Sequence, residues 1–210
     1  MKLSKKTEKI ITISEYYKWL RREWAKVGFI VGLFLFAFLM VAVRPHDYIL
    51  FILLLQTPIY MMHQSEEWVF SGGFGKYFNR YILKLPDNVN PLDEIFIFRI
   101  NIGLIWLAFP IFGLLSSVNY AYGMWIPYFV IIAGLYHVAM AIKTQKLYNP
   151  GLIVSLLLNI PVGSWAVYEL INSGLIDNYI INVHALVGLV LNLALPVLGY
   201  FAYKKALRNM

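Results

Sequence analysis

The chain has 210 residues, of which 60% are hydrophobic and 17% aromatic while only 14% are charged, and its mean hydropathy is +0.65. Soluble domains carry about 25% charged residues, so this composition excludes an ordinary soluble protein and indicates an integral membrane protein. The formal net charge is +7, and the absence of cysteine excludes disulfides and thiolate metal sites. Any metal would therefore be bound by histidine, carboxylate, amide or water ligands.

The N-terminal segment, residues 1–23, is polar and basic and predicts a short amphipathic helix at the membrane interface. Within it, Thr12 and Glu15 have the spacing of a helix-capping box. The apolar run that follows is longer than the h-region of a signal peptide, so we expect it to remain as a helix. Basic residues beside a membrane span are typical of an orientation signal, and we favour this interpretation over nucleic-acid binding.

Six segments are long and apolar enough to cross a hydrocarbon core of about 30 Å as helices. They cover residues 24–43, 47–70, 93–116, 124–143, 150–172 and 179–203. Lysine and arginine concentrate at both ends of the chain and in alternate loops, whereas the remaining loops contain only Arg44. Because basic residues stay on the cytoplasmic side, this pattern predicts that both termini are cytoplasmic.

The predicted fold is therefore an all-α polytopic membrane helix bundle with six transmembrane helices. A single transmembrane domain, residues 24–203, lies between the interfacial segment and a basic cytoplasmic tail, residues 204–210. We expect a multi-pass protein of the bacterial inner membrane.

The stretch YMMHQSEEWVF, residues 60–70, places three ionisable side chains at the cytoplasmic end of the second predicted span. At about 100° per residue, Glu66 lies about 60° to one side of His63 and Glu67 about 40° to the other, so all three share one helix face. His63 and Glu67 have a spacing that binds one metal ion, and the second carboxylate, Glu66, is near enough to act as a general base. The inverted zincin motif His-x-x-Glu-His works in this way, and Glu67 stands where its second histidine would be.

The same topology brings other polar residues into the cytoplasmic leaflet. His137, in the fourth span, is the predicted third metal ligand, and three residues are predicted to support the site: Arg99, Asn101 and Asn149. Each has an alternative. His137 could be hydrogen-bonded to a carbonyl group, Asn149 could cap the fifth span, Asn101 could make a polar helix contact, and Arg99 could extend to the interface. Both glutamates could simply be solvated at a helix end.

These residues resemble a known family, the HXXEE-domain proteins. The resemblance rests on HQSEEW, on the glycine-rich aromatic segment FSGGFGKYF that follows it, and on LYNPG after a histidine-bearing helix, and it covers about residues 56–171. It implies a polytopic protein with a shared site, but the family has no known function and so implies no reaction. The matching positions are His63, Glu66, Glu67, His137, Asn149, Pro150 and Gly151.

Two classes of function remain open. The first is a metal-dependent intramembrane enzyme, a hydrolase or isomerase, in which His63, Glu67 and His137 hold a divalent metal such as zinc or iron and the glutamates move protons. Its substrate would be lipid-like or another apolar small molecule that enters from the membrane lipids. The second is a proton- or ion-coupled transporter or binding protein that uses the same carboxylates, although the six spans show no repeated half. A purely structural or partner-binding membrane protein is a third hypothesis.

Overall fold

The computed structural model describes residues 12–86, 89 and 91–208, and within them the chain forms helices and turns. The α-helices are α1 (Ile13–Phe38), α2 (Tyr48–Ser65), α3 (Phe74–Tyr77), α4 (Glu94–Asn101), α5 (Phe109–Leu115), α6 (Trp125–Thr144), α7 (Leu152–Val154), α8 (Ile160–Asn172) and α9 (Val183–Arg208). Wider π-helical turns extend or join them at Leu39–Val43, Glu66–Phe70, Phe78–Ile82, Ile102–Ala108 and Ser155–Asn159, and a 3-10 turn covers Tyr120–Tyr122. The predicted all-α fold is confirmed.

A capping box begins α1, as the sequence predicts. The Thr12 hydroxyl accepts a hydrogen bond from the Glu15 amide at 3.2 Å, and the Glu15 carboxylate accepts one from the Thr12 amide at 2.9 Å. The helix then continues through residue 23 without a break, because no glycine or proline interrupts the chain before Gly28. The predicted interfacial segment is thus the first part of α1, except for residues 1–11, which lie outside the described residues. Its position at the interface stays a prediction.

Within the described residues, five helices are long and apolar enough to cross a membrane, as expected for an integral membrane protein. They are Ile13–Val43, Glu94–Leu115, Tyr120–Thr144, Leu152–Asn172 and Val183–Lys205. These correspond to the first, third, fourth, fifth and sixth predicted spans. The second predicted span contains α2, which carries the polar side chains Gln56, His63 and Gln64 and is not among these five helices. Six spans, and the cytoplasmic location of both termini, stay predictions.

Helix α2 lies at the centre of the bundle, where it packs against α1, α5, α6 and α8. Its polar side chains are as buried as its apolar ones: Gln56 and His63 are no more than 1% exposed. A helix enclosed by other helices can carry polar groups at membrane depth, because they face protein rather than lipid. This arrangement explains how α2 can carry polar side chains, and it puts the end of α2 inside the protein.

Glycines bring α6 close to its neighbours. A Cβ atom on Gly134 of α6 would lie 2.8 Å from Cγ1 of Ile160 in α8, and one on Gly188 of α9 would lie 2.8 Å from the Phe129 amide nitrogen. Close backbone approach of this kind is the usual way in which membrane helices pack. It holds α6 between α8 and α9, with His137 one turn beyond Gly134.

Candidate metal centre

Three side chains converge where the end of α2 meets α6. His63 lies in the last turn of α2, Glu67 follows in the π-helical turn, and His137 comes from α6. Oε1 of Glu67 lies 3.5 Å from Nε2 of His63 and 3.3 Å from Nε2 of His137, and the ligand atoms of all three residues lie within 4.8 Å of one another. All three residues are buried. The tertiary structure thus brings together the three ligands that the sequence predicts.

Asn149 determines which nitrogen of His137 carries the proton. The Asn149 Nδ2 atom donates to the backbone carbonyl of His137 at 2.9 Å, so its Oδ1 atom must face the imidazole, where it lies 2.8 Å from Nδ1. An amide oxygen can only accept, so Nδ1 carries a hydrogen, and in the neutral ring Nε2 then presents a lone pair. A metal-binding histidine is commonly held by a partner in this way. The predicted supporting role of Asn149 therefore has a geometric basis.

Ser155 stands in the same relation to His63. Its hydroxyl donates to the Gly151 carbonyl at 2.6 Å, which leaves the oxygen to accept from His63 Nδ1, 3.5 Å away. A hydrogen on Nδ1 of His63 would satisfy this contact, and the Nε2 atom of the ring is buried with no hydrogen-bond partner among the described residues. A buried polar atom without a partner is costly, and it signals a missing proton or ion.

With both imidazoles neutral, three lone pairs face one another at the cluster. Two neutral imidazoles and a carboxylate repel unless a cation lies between them, and a single proton can bridge only two of the three atoms. Two atoms that each lie about 2.0–2.1 Å from a tetrahedral zinc ion stand about 3.3–3.4 Å apart, and both nitrogens are 3.3–3.5 Å from Glu67 Oε1. The donor set and its spacing therefore fit a divalent metal.

The other oxygen of Glu67 is held separately. Its Oε2 atom accepts a hydrogen bond from the indole nitrogen of Trp68 at 3.1 Å. Because this bond restrains the carboxylate from one side, Oε1 is directed toward the two histidines. Neighbouring residues in sequence thus supply a ligand and the group that orients it.

Glu66 has a different environment. Its two carboxylate oxygens accept hydrogen bonds from the backbone amides of Ile153 at 3.1 Å and Val154 at 2.6 Å, at the start of the helix that contains α7. The first amides of a helix have no partner within the helix and carry partial positive charge, so a carboxylate is stabilised there. Glu66 therefore ties the end of α2 to the start of the fifth predicted span, and it lies outside the three-ligand cluster.

Gly151 allows the backbone to pass directly beside both rings. Its φ is +98°, a conformation that favours glycine, and a Cβ atom there would lie 2.5 Å from His137 Cε1 and 2.8 Å from His63 Cε1. The sequence NPG at 149–151 thus has two functions at the cluster: Asn149 orients one ring, and Gly151 leaves space for both.

The remaining predicted residues lie farther from the cluster. The Asn101 carboxamide accepts from Gln64 at 2.7 Å and donates to the Ile97 carbonyl at 2.8 Å, so it makes a polar helix contact. Arg99 is exposed and makes no ion pair within the described residues. The sequence patterns predicted no role at the site for Ser155, Trp68 or Gln64. Only the position of Ser155, one turn after Gly151, offers a signal for it.

An apolar cavity with a volume of about 220 Å³ adjoins the cluster. Glu67 and His137 form part of its wall, together with the hydroxyl-bearing rings of Tyr60 and Tyr136. The rest of the wall is mainly aliphatic and aromatic, with Leu193 and Pro196 contributed by α9. Pockets for small molecules typically combine an apolar wall with a few polar groups. This apolar cavity is the space through which a ligand would reach the cluster.

The comparisons with known proteins agree with these residues. Neither a curated protein nor a solved structure matches the chain. Residues 54–166, more than half of the chain, match a family described as "Protein of unknown function with HXXEE motif". The match contains His63, Glu66, Glu67, His137, Asn149 and Gly151. The chain belongs to the HXXEE family.

Proposed function

We propose that this protein is a metal-dependent enzyme of the membrane, a hydrolase or isomerase, that acts on a lipid-like or other apolar small molecule. One observation carries the proposal: three atoms that can bind a metal converge in a buried cluster, and Glu67 and His137 of this cluster also form part of the wall of the apolar cavity. A site that only stabilised the fold would not need ligands exposed to a cavity.

His63 Nε2, His137 Nε2 and Glu67 Oε1 would hold the metal, for which zinc and iron both suit two imidazoles and a carboxylate. When bound, such an ion polarises a substrate oxygen or activates a water molecule. Three protein ligands are the usual number at catalytic zinc, because one coordination position stays open for substrate. The apolar cavity would provide the space next to that open coordination position.

The chain's own residues would then position the metal ligands and exclude water. Asn149 and Ser155 hold the two rings in the tautomer that presents Nε2, and the aromatic wall keeps water from the apolar part of a substrate. Glu66 was predicted to move protons, but both its oxygens are bound to backbone amides. We therefore propose that Glu66 positions α2 and that Glu67 is the carboxylate in contact with the reacting groups.

We further propose that the protein is an integral protein of a bacterial inner membrane with both termini in the cytoplasm, in contact with membrane lipids. Five helices of sufficient length and apolarity support the membrane location, and the distribution of lysine and arginine supports the orientation. The cluster then lies near the cytoplasmic interface, which suits a substrate drawn from the lipid.

Elemental analysis of the protein, purified without chelators, tests the proposal. We expect about one divalent metal ion per chain, retained in His184→Ala and lost in His63→Ala and in His137→Ala. His184 is the matched control, because it is a half-buried histidine on α9 outside the cluster. Absence of stoichiometric metal from the parent protein would contradict the proposal. Substrate or ion flux in proteoliposomes that depends on Glu67 would instead favour the transporter hypothesis.

A further inference from the structure

A second concavity, here called the basic cleft, lies beside the apolar cavity. It has a volume of about 360 Å³. Its described lining contains one acidic residue, Glu94, and these basic and aromatic residues: Arg21, Arg22, Trp24, Lys26, Trp68 and Lys76. Helices α1 and α3 thus place four cationic side chains around one depression.

Among the described residues, two of these cations have an acidic partner and two do not. Arg21 Nε lies 2.8 Å from Glu94 Oε1, and Lys26 Nζ lies 2.7 Å from a Glu23 oxygen. Arg22 and Lys76 are exposed, and no described acidic side chain pairs with either of them. Within the part of the chain that the structure describes, the basic cleft therefore presents a guanidinium and an ammonium group without an acidic partner, and these can bind an anion.

The basic cleft and the apolar cavity share a wall. Trp68, Leu92 and Ile97 line both of them. Trp68 packs against the buried Trp24, with ring centroids 6.4 Å apart, and its indole nitrogen donates to Glu67. Trp68 thus lines both the basic cleft and the apolar cavity, and it also donates a hydrogen bond to the predicted metal ligand Glu67.

From this juxtaposition we infer that the ligand of the site is an amphiphile with a phosphate monoester head group, which binds in the basic cleft, and an apolar chain, which binds in the apolar cavity. A phosphate monoester carries a charge of about −1.5 to −2 near neutral pH. This charge nearly balances two cations, whereas a single carboxylate would balance only one. Arginine and lysine together provide a planar fork and a point charge for its oxygens. The inference rests on the proposed function in treating this ligand as the substrate.

The orientation rule for membrane proteins accounts for the sign of these charges but not for their placement. Basic residues anywhere on the cytoplasmic surface would satisfy that rule. Here they surround a concave surface with two tryptophans in its wall, adjoining a cavity that reaches the ligand cluster. The charge and shape of the basic cleft and the adjacent apolar cavity together favour an amphiphile with an anionic head group.

Native mass spectrometry of the 210-residue protein in neutral detergent tests the inference, because it counts bound molecules directly. The probes are dodecyl phosphate, the uncharged dodecanol, and inorganic phosphate. We expect dodecyl phosphate to bind at least about tenfold more tightly than either of the others, since hydrogen bonds to charged groups and chain burial both contribute. Its affinity is expected to fall with added salt.

The variant Arg22→Gln/Lys76→Gln is expected to bind dodecyl phosphate about tenfold more weakly. The charge-conserving variant Arg22→Lys/Lys76→Arg should retain most of the binding. Lys143→Gln/Lys205→Gln is the matched control, because both lysines are exposed and neither lines the basic cleft, so the same loss of net charge should change the affinity less than about twofold.

Three results would overturn the inference: equal binding of dodecanol and dodecyl phosphate, equal loss in the two glutamine variants, or equal binding of inorganic phosphate and dodecyl phosphate. The last result would mean that the cleft takes free phosphate and that the apolar cavity contributes nothing. Metal content separates this inference from the proposed function. Retained metal with no selective binding overturns the inference alone, whereas selective binding by a protein without metal overturns the enzyme proposal alone.

Discussion

Asn149 holds His137 by two hydrogen bonds across twelve positions of sequence, one from its amide nitrogen to the His137 carbonyl and one between its oxygen and the ring nitrogen Nδ1. The first bond determines the orientation of the carboxamide, and the second then determines the tautomer of the imidazole. In the neutral ring, the position of the lone pair on Nε2, on which the candidate metal centre depends, is therefore determined by Asn149, a loop residue.

Replacement of Asn149 by alanine is expected to weaken metal binding by about 10- to 100-fold, as for other residues that orient a metal-binding histidine. The ring would lose its restraint and its fixed tautomer while all three ligands remained. Competition with a chromogenic chelator measures the affinity. Asn182→Ala is a suitable control, because Asn182 donates to the Tyr128 hydroxyl and the Asn178 carbonyl, away from the cluster. Equal affinities for the two variants would contradict the role assigned to Asn149.

The two adjacent glutamates should separate in their effects. Glu66→Ala removes the acceptor of two helix-start amides and is expected to lower the free energy of unfolding by about 1–3 kcal/mol while metal is retained. Glu67→Gln should instead abolish or strongly weaken metal binding, because an amide is a poorer ligand than a carboxylate. Thermal unfolding in detergent and elemental analysis of both variants measure the two quantities. If Glu66→Ala lost the metal without losing stability, Glu66 would be a ligand or a catalytic group after all.

Gly151→Ala should damage both the fold and the site. The new Cβ atom would meet the His137 and His63 rings at 2.5 and 2.8 Å, and the residue would also have to adopt a φ of +98°. We expect a loss of stability of about 2–5 kcal/mol from backbone strain and overpacking together, with loss of metal.

Gly174→Ala is the matched control for that variant. Gly174 has a φ of +66°, but nothing lies within 4 Å of its Cβ position. Only the backbone strain of about 1–2 kcal/mol should then remain, and the metal should be kept. Unfolding midpoints of the two variants, measured side by side, isolate the cost of crowding the rings. Similar midpoints would show that the rings move aside freely.

The apolar cavity can be filled from α9. Leu193→Trp places a larger side chain in its wall and should weaken binding of a fluorescent alkyl probe about tenfold, because exclusion of two methylene groups costs about 1.6 kcal/mol. The metal content should not change. Leu189→Trp, one turn away on the same helix, also starts from an exposed leucine but lies outside the cavity wall, so it should bind the probe normally. Equal effects of the two tryptophans would place the probe elsewhere.

The fold class could be predicted from the sequence, and so could the three residues that form the candidate metal centre, because both depend on local pattern. Long apolar runs without charge require helices that satisfy their own hydrogen bonds in lipid, and His63 with Glu67 follows from the spacing of one helix turn. Helix α2 fits this pattern less well, since burial on all sides removes the need for a continuously apolar surface. The polar side chains at the end of α2 are possible for the same reason, because they face protein and not lipid.

The sequence by itself determined that the chain is an all-α protein of membrane type and that His63, Glu67 and His137 are candidate ligands. Only the tertiary structure decided between the two glutamates: 100° of rotation turns one toward the histidines and the other toward the amides of Ile153 and Val154. It also decided the roles of Asn149, Gly151 and Ser155, which meet the rings only when α6 and the fifth predicted span pack together. A hydrogen bond to an imidazole depends on where two backbones pass in space, and no spacing along one chain segment specifies that.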